Sequence, residues 1–284
     1  MYQLNNLVIN IINHHHIPIP ENMDKFYIES EHYDYLYDLY VVDNIDVEED
    51  KFTINKDKIK VIVKNGLEKR YLVIPGDIRP YAVCEEIDKN HTIVHIRKDY
   101  VSMMNYDTMF NSLLSLERRM LDEHCFILHS SYMVVNNKAI LFSAPSGTGK
   151  STQAGLWEKY RHANVINGDR SLLCIEDNKL YACGWPICGS SEICFNEKHE
   201  VSCIVLLSQA KENTIVNVDY KTSVKKLIGE VTINYHNSTF VNSALDFIDK
   251  IISTVPIYHL ACDISENAVQ CLEDKIKEDK LWML

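Results

Sequence analysis

The sequence predicts an α/β (α+β) chain: a β-rich N-terminal domain over residues 1–105, then a domain over 106–284 that combines a mixed sheet with helices. Three observations carry this expectation. Asn65-Gly66 joins the alternating run Ile59–Val63 to the run Leu67–Ile74, and Asn-Gly between such runs is the strongest short hairpin signal. The apolar run Ala139–Phe142 turns abruptly into Ser146-Gly147-Thr148-Gly149, with a helical pattern from Lys150 onward. From residue 202 to 279 a buried strand, two helices, a strand and a helix follow one another.

Composition narrows the function classes. Apolar residues make up 46% of the 284 positions and charged residues 24%, ordinary for a soluble globular chain. No run approaches 18 apolar residues, so no membrane span is expected. The opening MYQLNNLVINIINHHH has no basic region and no small-residue cleavage site, and the expected location is the cytoplasm. A net charge of −11 without a basic stripe argues against nucleic acid and suits a neutral or basic protein or peptide partner. The nine cysteines contain no C-x-x-C pair and fit neither a zinc site nor a disulfide framework, so they read as small buried hydrophobes.

The elements can be taken in order. In the first hundred residues, the run TIVHIRK at 92–98 reads as a further strand. His14-His15-His16 reads as a polar strand end rather than a metal cluster, because neighbours on a strand point to opposite faces. Residues 106–124 read as one amphipathic helix, with Phe110, Leu113, Leu114, Glu117 and Leu121 on one face and Asp107 as N-cap. Tyr132–Val135 and Ala139–Ser143 form a hairpin through Asn136-Asn137-Lys138, and a second hairpin turns at Asp177-Asn178. Residues 202–209 read as a buried strand, 222–235 and 238–253 as helices, the latter stopped by Pro256. A last strand at 257–262 and a last helix capped by Ser265 complete the chain, with no internal repeat.

The bare loop has a chemical reading. Gly, Ser and Thr let backbone N–H groups turn inward as a nest for anions, and the following helix adds its positive end. Lys150 can then reach β- and γ-phosphates, and the Ser151 hydroxyl can bind Mg²⁺. The segment matches G-x-x-x-x-G-K-[ST] except that Ala144 holds the first position. Ser146, Gly147, Thr148, Gly149, Lys150, Ser151 and Thr152 are therefore the candidate phosphate-binding residues, and a glycine-rich turn is the competing reading. Asp169, after the short strand Val165-Ile166, is the candidate carboxylate for Mg²⁺, against a plain turn residue in Asn-Gly-Asp. Arg170 can stabilise charge on a transferring phosphoryl group or form a surface ion pair.

With LHSSYMVVNNKAILFSAPSGTGKST, then NGD, then GWPICGSSEIC, the chain resembles the catalytic core of the HPr serine kinase/phosphorylase family, which is related to ATP-dependent phosphoenolpyruvate carboxykinase. The shared feature is a β-hairpin feeding the loop, with a His at the start of its first strand. The resemblance covers about 125–210, more loosely to 276, and leaves out the first hundred residues. It implies a P-loop core using ATP and Mg²⁺, with Gly147 to Thr152 on the phosphates, Lys150 on β/γ, and Ser151 and Asp169 at the metal. It places His129 near the transfer centre and Gly189, Ser190 and Ser191 in a loop facing the site. It also suggests a homo-oligomer.

Two departures accompany it. HPr kinases carry adjacent Asp residues where this chain has Gly168-Asp169, so either Asp169 serves both roles or His129 acts as base. The family's C-terminal segment that grips its protein substrate is not found, and the chain looks more like an uncharacterised branch. His129 as hydrogen-bonded structure, and 189–191 as a plain loop, stay open beside their functional readings. Cys188 reads as inert.

Three functions follow. The first is an ATP-dependent kinase acting on a hydroxyl, with Ser as the expected acceptor, of a protein, peptide or small molecule. The second is a non-catalytic ATP-binding regulatory or scaffold module whose N-terminal domain binds a partner. The third, a carboxykinase-like enzyme, needs a basic second anion site, for which only Arg161, Arg170 and Lys198 lie near the motifs.

Overall fold

The computed structural model describes residues 1–48, 51–56, 58–77 and 79–281. The chain divides into two compact units, Met1–Leu116 and Glu117–Leu284, and its fold is α/β with mixed sheets.

The first unit is one sheet. Its strands are β1 (Tyr2–Leu4), β2 (Leu7–Asn13), β3 (Tyr35–Val42), β4 (Ile54–Asn55), β5 (Ile59–Lys64), β6 (Leu67–Leu72), β7 (Ala82–Asp88) and β8 (His91–Arg97), with the short helix α1 (Glu21–Asp24) after β2. They lie in the order β1-β2-β3-β8-β7-β6-β5-β4. The β5–β6 hairpin forms at Asn65-Gly66, both with positive φ, the geometry whose twist matches paired strands. β2 stops at Asn13, and the histidines follow it. His14 Nε2 lies 2.6 Å and His91 Nε2 2.8 Å from the two oxygens of Asp38. Among the described residues, no group of three or more His, Cys, Asp or Glu is arranged to hold a metal.

The single helix expected over 106–124 is two: α2 (Asp107–Leu114) and α3 (Leu116–Asp122). Ser115 between them takes φ 48°, which ends an α-helix. Asp107 is the first helical residue rather than the cap, a position held by Tyr106 without a side-chain bond. α2 packs against β7, and Tyr37 Oη donates to Leu114 O, so this helix belongs to the first unit. The division therefore falls after Leu116 rather than near residue 105.

The second unit is built on two long strands, β9 (Phe126–Val135) and β14 (Lys198–Gln209). The others are β10 (Lys138–Ser143), β11 (Asn164–Asn167), β12 (Arg170–Glu176), β13 (Lys179–Cys183), β15 (Thr214–Asn217) and β16 (Ile257–Cys262). β9 pairs with β12 through 126–129 and with β10 through 130–135. β14 likewise pairs with β13 through 198–200 and with β10 from Val201. The pairings thus close a circuit, β9–β12–β13–β14–β10–β9. Both hairpin turns, Asn136-Asn137 and Asp177-Asn178, have left-handed φ at each central residue; Lys138 already belongs to the strand.

Helices cover both faces. They are α4 (Lys150–Arg161), α5 (Tyr220–Glu230), α6 (Ser238–Thr254) and α7 (Glu266–Glu278). On β10, Ala139 and Leu141 pack in the core shared with α5 and α6, while Ile140 and Phe142 pack in the core shared with α4 and α7. An unbroken apolar run is what a strand buried on both faces needs. α5 ends at Glu230, short of the expected 235. Val231 leaves the helix to bridge Leu128, and Thr232 N donates to Ile127 O. Ser265 holds the N-cap position of α7, but its hydroxyl donates to Asp263 rather than capping.

Candidate functional site

The switch point of β9 organises the site. His129 is the last β9 residue paired with β12, opposite Arg170. Ser130 is the first paired with β10, opposite Ser143. Ser143 Oγ donates to His129 O at 3.0 Å, and the glycine loop begins at the next residue. The start of β12, the end of β10 and the middle of β9 therefore meet at one point.

The loop itself is open. Pro145, Ser146 and Gly147 are exposed, and Gly147 has φ 78°. Gly149 is the N-cap of α4 with φ 117°, a conformation that L side chains rarely adopt, and it makes no side-chain cap. The first-turn N–H groups of a helix have no intrahelical acceptor, so this end is left to another acceptor. Lys150 is buried and its Nζ donates to Ala144 O at 2.9 Å, back across the loop. Burial pushes its ammonium pKa down, and the carboxylates of Asp169 and Glu230 act against that shift. Gln209, at the end of β14, donates to the carbonyls of Gly147 and Thr148 at 3.4 and 3.3 Å. Thr152 is exposed on the first turn of α4.

Ser151 connects the loop to the Asp169 turn, its Oγ donating to Gly168 O at 3.1 Å. The turn is held by Asn167, which is fully buried. Its Oδ1 accepts from the N–H of Asp169 and of Arg170, each at 2.9 Å, and its Nδ2 donates to Trp185 O and Ile187 O. Asp169 Oδ1 lies 3.3 Å from His129 Nε2, and Asp169 Oδ2 accepts from Arg170 Nε at 3.3 Å. The bond with His129, then the Arg170 charge, holds the Asp169 carboxyl below its ordinary value, with burial opposing.

The loop after β13 closes on the same turn. Gly189–Ser191 is a single 3-10 turn. A Cβ on Gly189 would meet Asp169 Cγ at 3.1 Å. A Cβ on Gly168 would lie 2.0 Å from Ser191 Oγ, a collision. Ser191 Oγ donates to Cys188 O at 2.6 Å, which fixes that side chain over Gly168. Ser190 is exposed, and Cys188 is buried. Of Arg161, Arg170 and Lys198, Arg170 is the one that joins this group. Arg161 pairs with Glu266 and Glu273 on α7, and Lys198 with Glu176.

Besides Asn167, two residues beside His129 and Arg170 escaped the sequence reading. Glu230 Oε2 lies 2.9 Å from His129 Nδ1, and Thr232 Oγ1 accepts from Arg170 at 3.1 Å. Both fall in a stretch read as continuous helix, where no local signal marks a site. The β-branched run Val231-Thr232-Ile233 was the available hint that the helix stops there.

No protein-family model matches the chain, and no curated protein matches it. Among solved structures, the HPr(Ser) kinase/phosphatase from Coxiella burnetii is similar at 13% identity with a TM-score of 0.33, over 55% of this chain and 90% of that one. No helix among the described residues is long and apolar enough to cross a membrane.

Proposed function

We propose that the second unit is an ATP-dependent phosphotransferase site, moving the γ-phosphoryl group to a hydroxyl of a protein, peptide or small molecule, with Ser as the expected acceptor. The observation that carries this reading is the Ser151–Gly168 hydrogen bond, which sets the loop hydroxyl beside the Asp169 turn. The open glycine loop and the uncapped start of α4 suit a phosphate chain. Lys150 reaches that chain by exchanging the Ala144 carbonyl for a phosphate oxygen, and an anion offsets the cost of its burial.

Ser151 and Asp169 are a hydroxyl and a carboxylate on adjoining backbone. That hard-oxygen pair fits Mg²⁺, which takes one or two protein oxygens and leaves other positions to phosphates and water. They are the residues that would hold it, and bound there it supplies charge neutralisation on the phosphates. His129 faces the Asp169 carboxylate through Nε2 and is the candidate base for the acceptor hydroxyl. Arg170, held by Asp169 and Thr232, is the candidate for stabilising charge on the transferring group.

Gly168 favours a second reading, a nucleotide-binding regulatory module. With Ser191 packed on it, position 168 has no room for a second carboxylate. Calorimetry of Mg-ATP binding on the native protein and on Lys150→Ala is the test. A charge-assisted phosphate contact is worth roughly 1.5–3 kcal/mol, so Kd should rise about 10- to 150-fold in the variant. No binding in either protein removes both readings. Binding without γ-phosphoryl transfer to peptide, metabolite or water leaves the regulatory one.

A further inference from the structure

The sheet of the second unit keeps an open edge at β15. This strand is last in the strand order, so among the described residues β16 pairs with one side of it and no strand with the other. Val218 N, just past β15, donates to Ile257 O, which makes 218 and 257 a hydrogen-bonded pair. In an antiparallel ladder such pairs alternate with non-hydrogen-bonded ones. Val216 opposite His259 and Thr214 opposite Ala261 are therefore bonded inward, while Ile215 and Asn217 turn their N–H and C=O groups to the open side. Along that edge runs a groove of about 650 Å³, lined by residues 215–217 of β15 and by Cys271, Asp274, Lys275 and Glu278 of α7.

The two faces of this edge differ in chemistry. The α7 wall holds two carboxylates to one ammonium, and Lys275 Nζ is already shared between Glu278 and Asp279, at 3.1 and 3.0 Å. On the opposite face Val216 is 56% exposed, while Ile215 packs toward α4 and α7. A chain laid along the edge alternates its side chains between these faces. A second copy of β15 would set a second acidic α7 wall against the first, on a chain of net charge −11, so charge disfavours self-pairing. We propose that this edge docks an extended basic segment of a partner protein by strand addition. Its backbone bonds Ile215 and Asn217, its basic side chains meet Asp274 and Glu278, and its apolar side chains lie beside Val216. None of these residues is part of the glycine loop or the Asp169 turn, so docking here stands whether or not phosphoryl transfer occurs.

The test uses the full chain and a fluorescein-labelled peptide of alternating Lys and Val, about eight residues long, with an alternating Glu and Val peptide as its counterpart. Fluorescence anisotropy at low salt should show saturable binding of the basic peptide and none of the acidic one. Amide hydrogen exchange at Ile215 and Asn217 should slow when the basic peptide is bound. Asn217→Pro removes an outward N–H and leaves the inward bonds of Val216 and Val218, so it should bind the peptide at least about tenfold more weakly. Asp274→Lys combined with Glu278→Lys, both exposed on α7, should exchange the preference and take the acidic peptide instead. If Asn217→Pro fails to fold, the charge exchange alone decides. Native affinity in the folded variants, equal affinity for the two peptides, or no binding of the basic peptide by the native chain each overturns the proposal. Protection of Ile215 and Asn217 without peptide, in a chain that sediments as a dimer, overturns it in favour of a second copy.

Discussion

Asp169 is where the residue scale is most informative. Its backbone N–H is fixed by Asn167 and its carboxylate by His129 and Arg170, so its position is set from both sides. The same contacts make it a pH probe. The ionised carboxylate, favoured by those partners, stabilises the fold above the unfolded value of about 3.9. That contribution is lost as pH falls through the lower folded value. Urea denaturation should therefore show the native protein losing stability more steeply than Asp169→Asn between about pH 5 and about pH 2. Equal slopes would mean that the carboxylate is unpaired in solution. Asp169 was visible in the sequence as a turn acid after a short strand, but Asn167 was not: a buried Asn in Asn-Gly-Asp reads like any turn residue until its four partners are known.

At the scale of elements, the loop Gly189–Ser191 and the turn before β12 are packed without spare room. Gly168→Ala places a methyl group on the Ser191 side chain, and overpacking of this kind costs about 1–3 kcal/mol. Ser191→Gly removes the obstruction. The double variant should recover most of the stability that Gly168→Ala loses, a coupling readable by a double-mutant cycle in urea. Additive losses would show that the two segments do not meet. This contact also gives a physical reason for the departure at 168, which the sequence could only register as a difference. The hairpin turns, by contrast, were legible residue by residue, because Asn and Asp tolerate left-handed φ wherever they occur. The end of α5 was not, because its stop depends on a bridge to β9, more than ninety positions earlier in the chain.

Each of the two units has a sheet of its own, and Trp157 and Trp185 are buried in the second unit. That unit is held together by distant pairings such as Phe142 with Val205 and Leu172 with Ile127. Loop closure must precede such contacts, so refolding followed by tryptophan fluorescence is expected in milliseconds to seconds, not microseconds. A microsecond phase with full amplitude would contradict this circuit of strands.

The sequence by itself determined the local devices: the three hairpin turns, the apolar run of β10, the glycine loop and the helix after it. Each depends on residues close in the chain, through allowed φ, side-chain period and the absence of side chains where backbone must be open. Only the tertiary structure decided which devices meet. His129, Asp169, Ser151 and Glu230 converge because β9 passes from β12 to β10 at His129 and Ser130, and because the chain after α5 pairs with that same strand. Pairing of that kind is fixed by the packing of whole elements, and no short window of residues contains it.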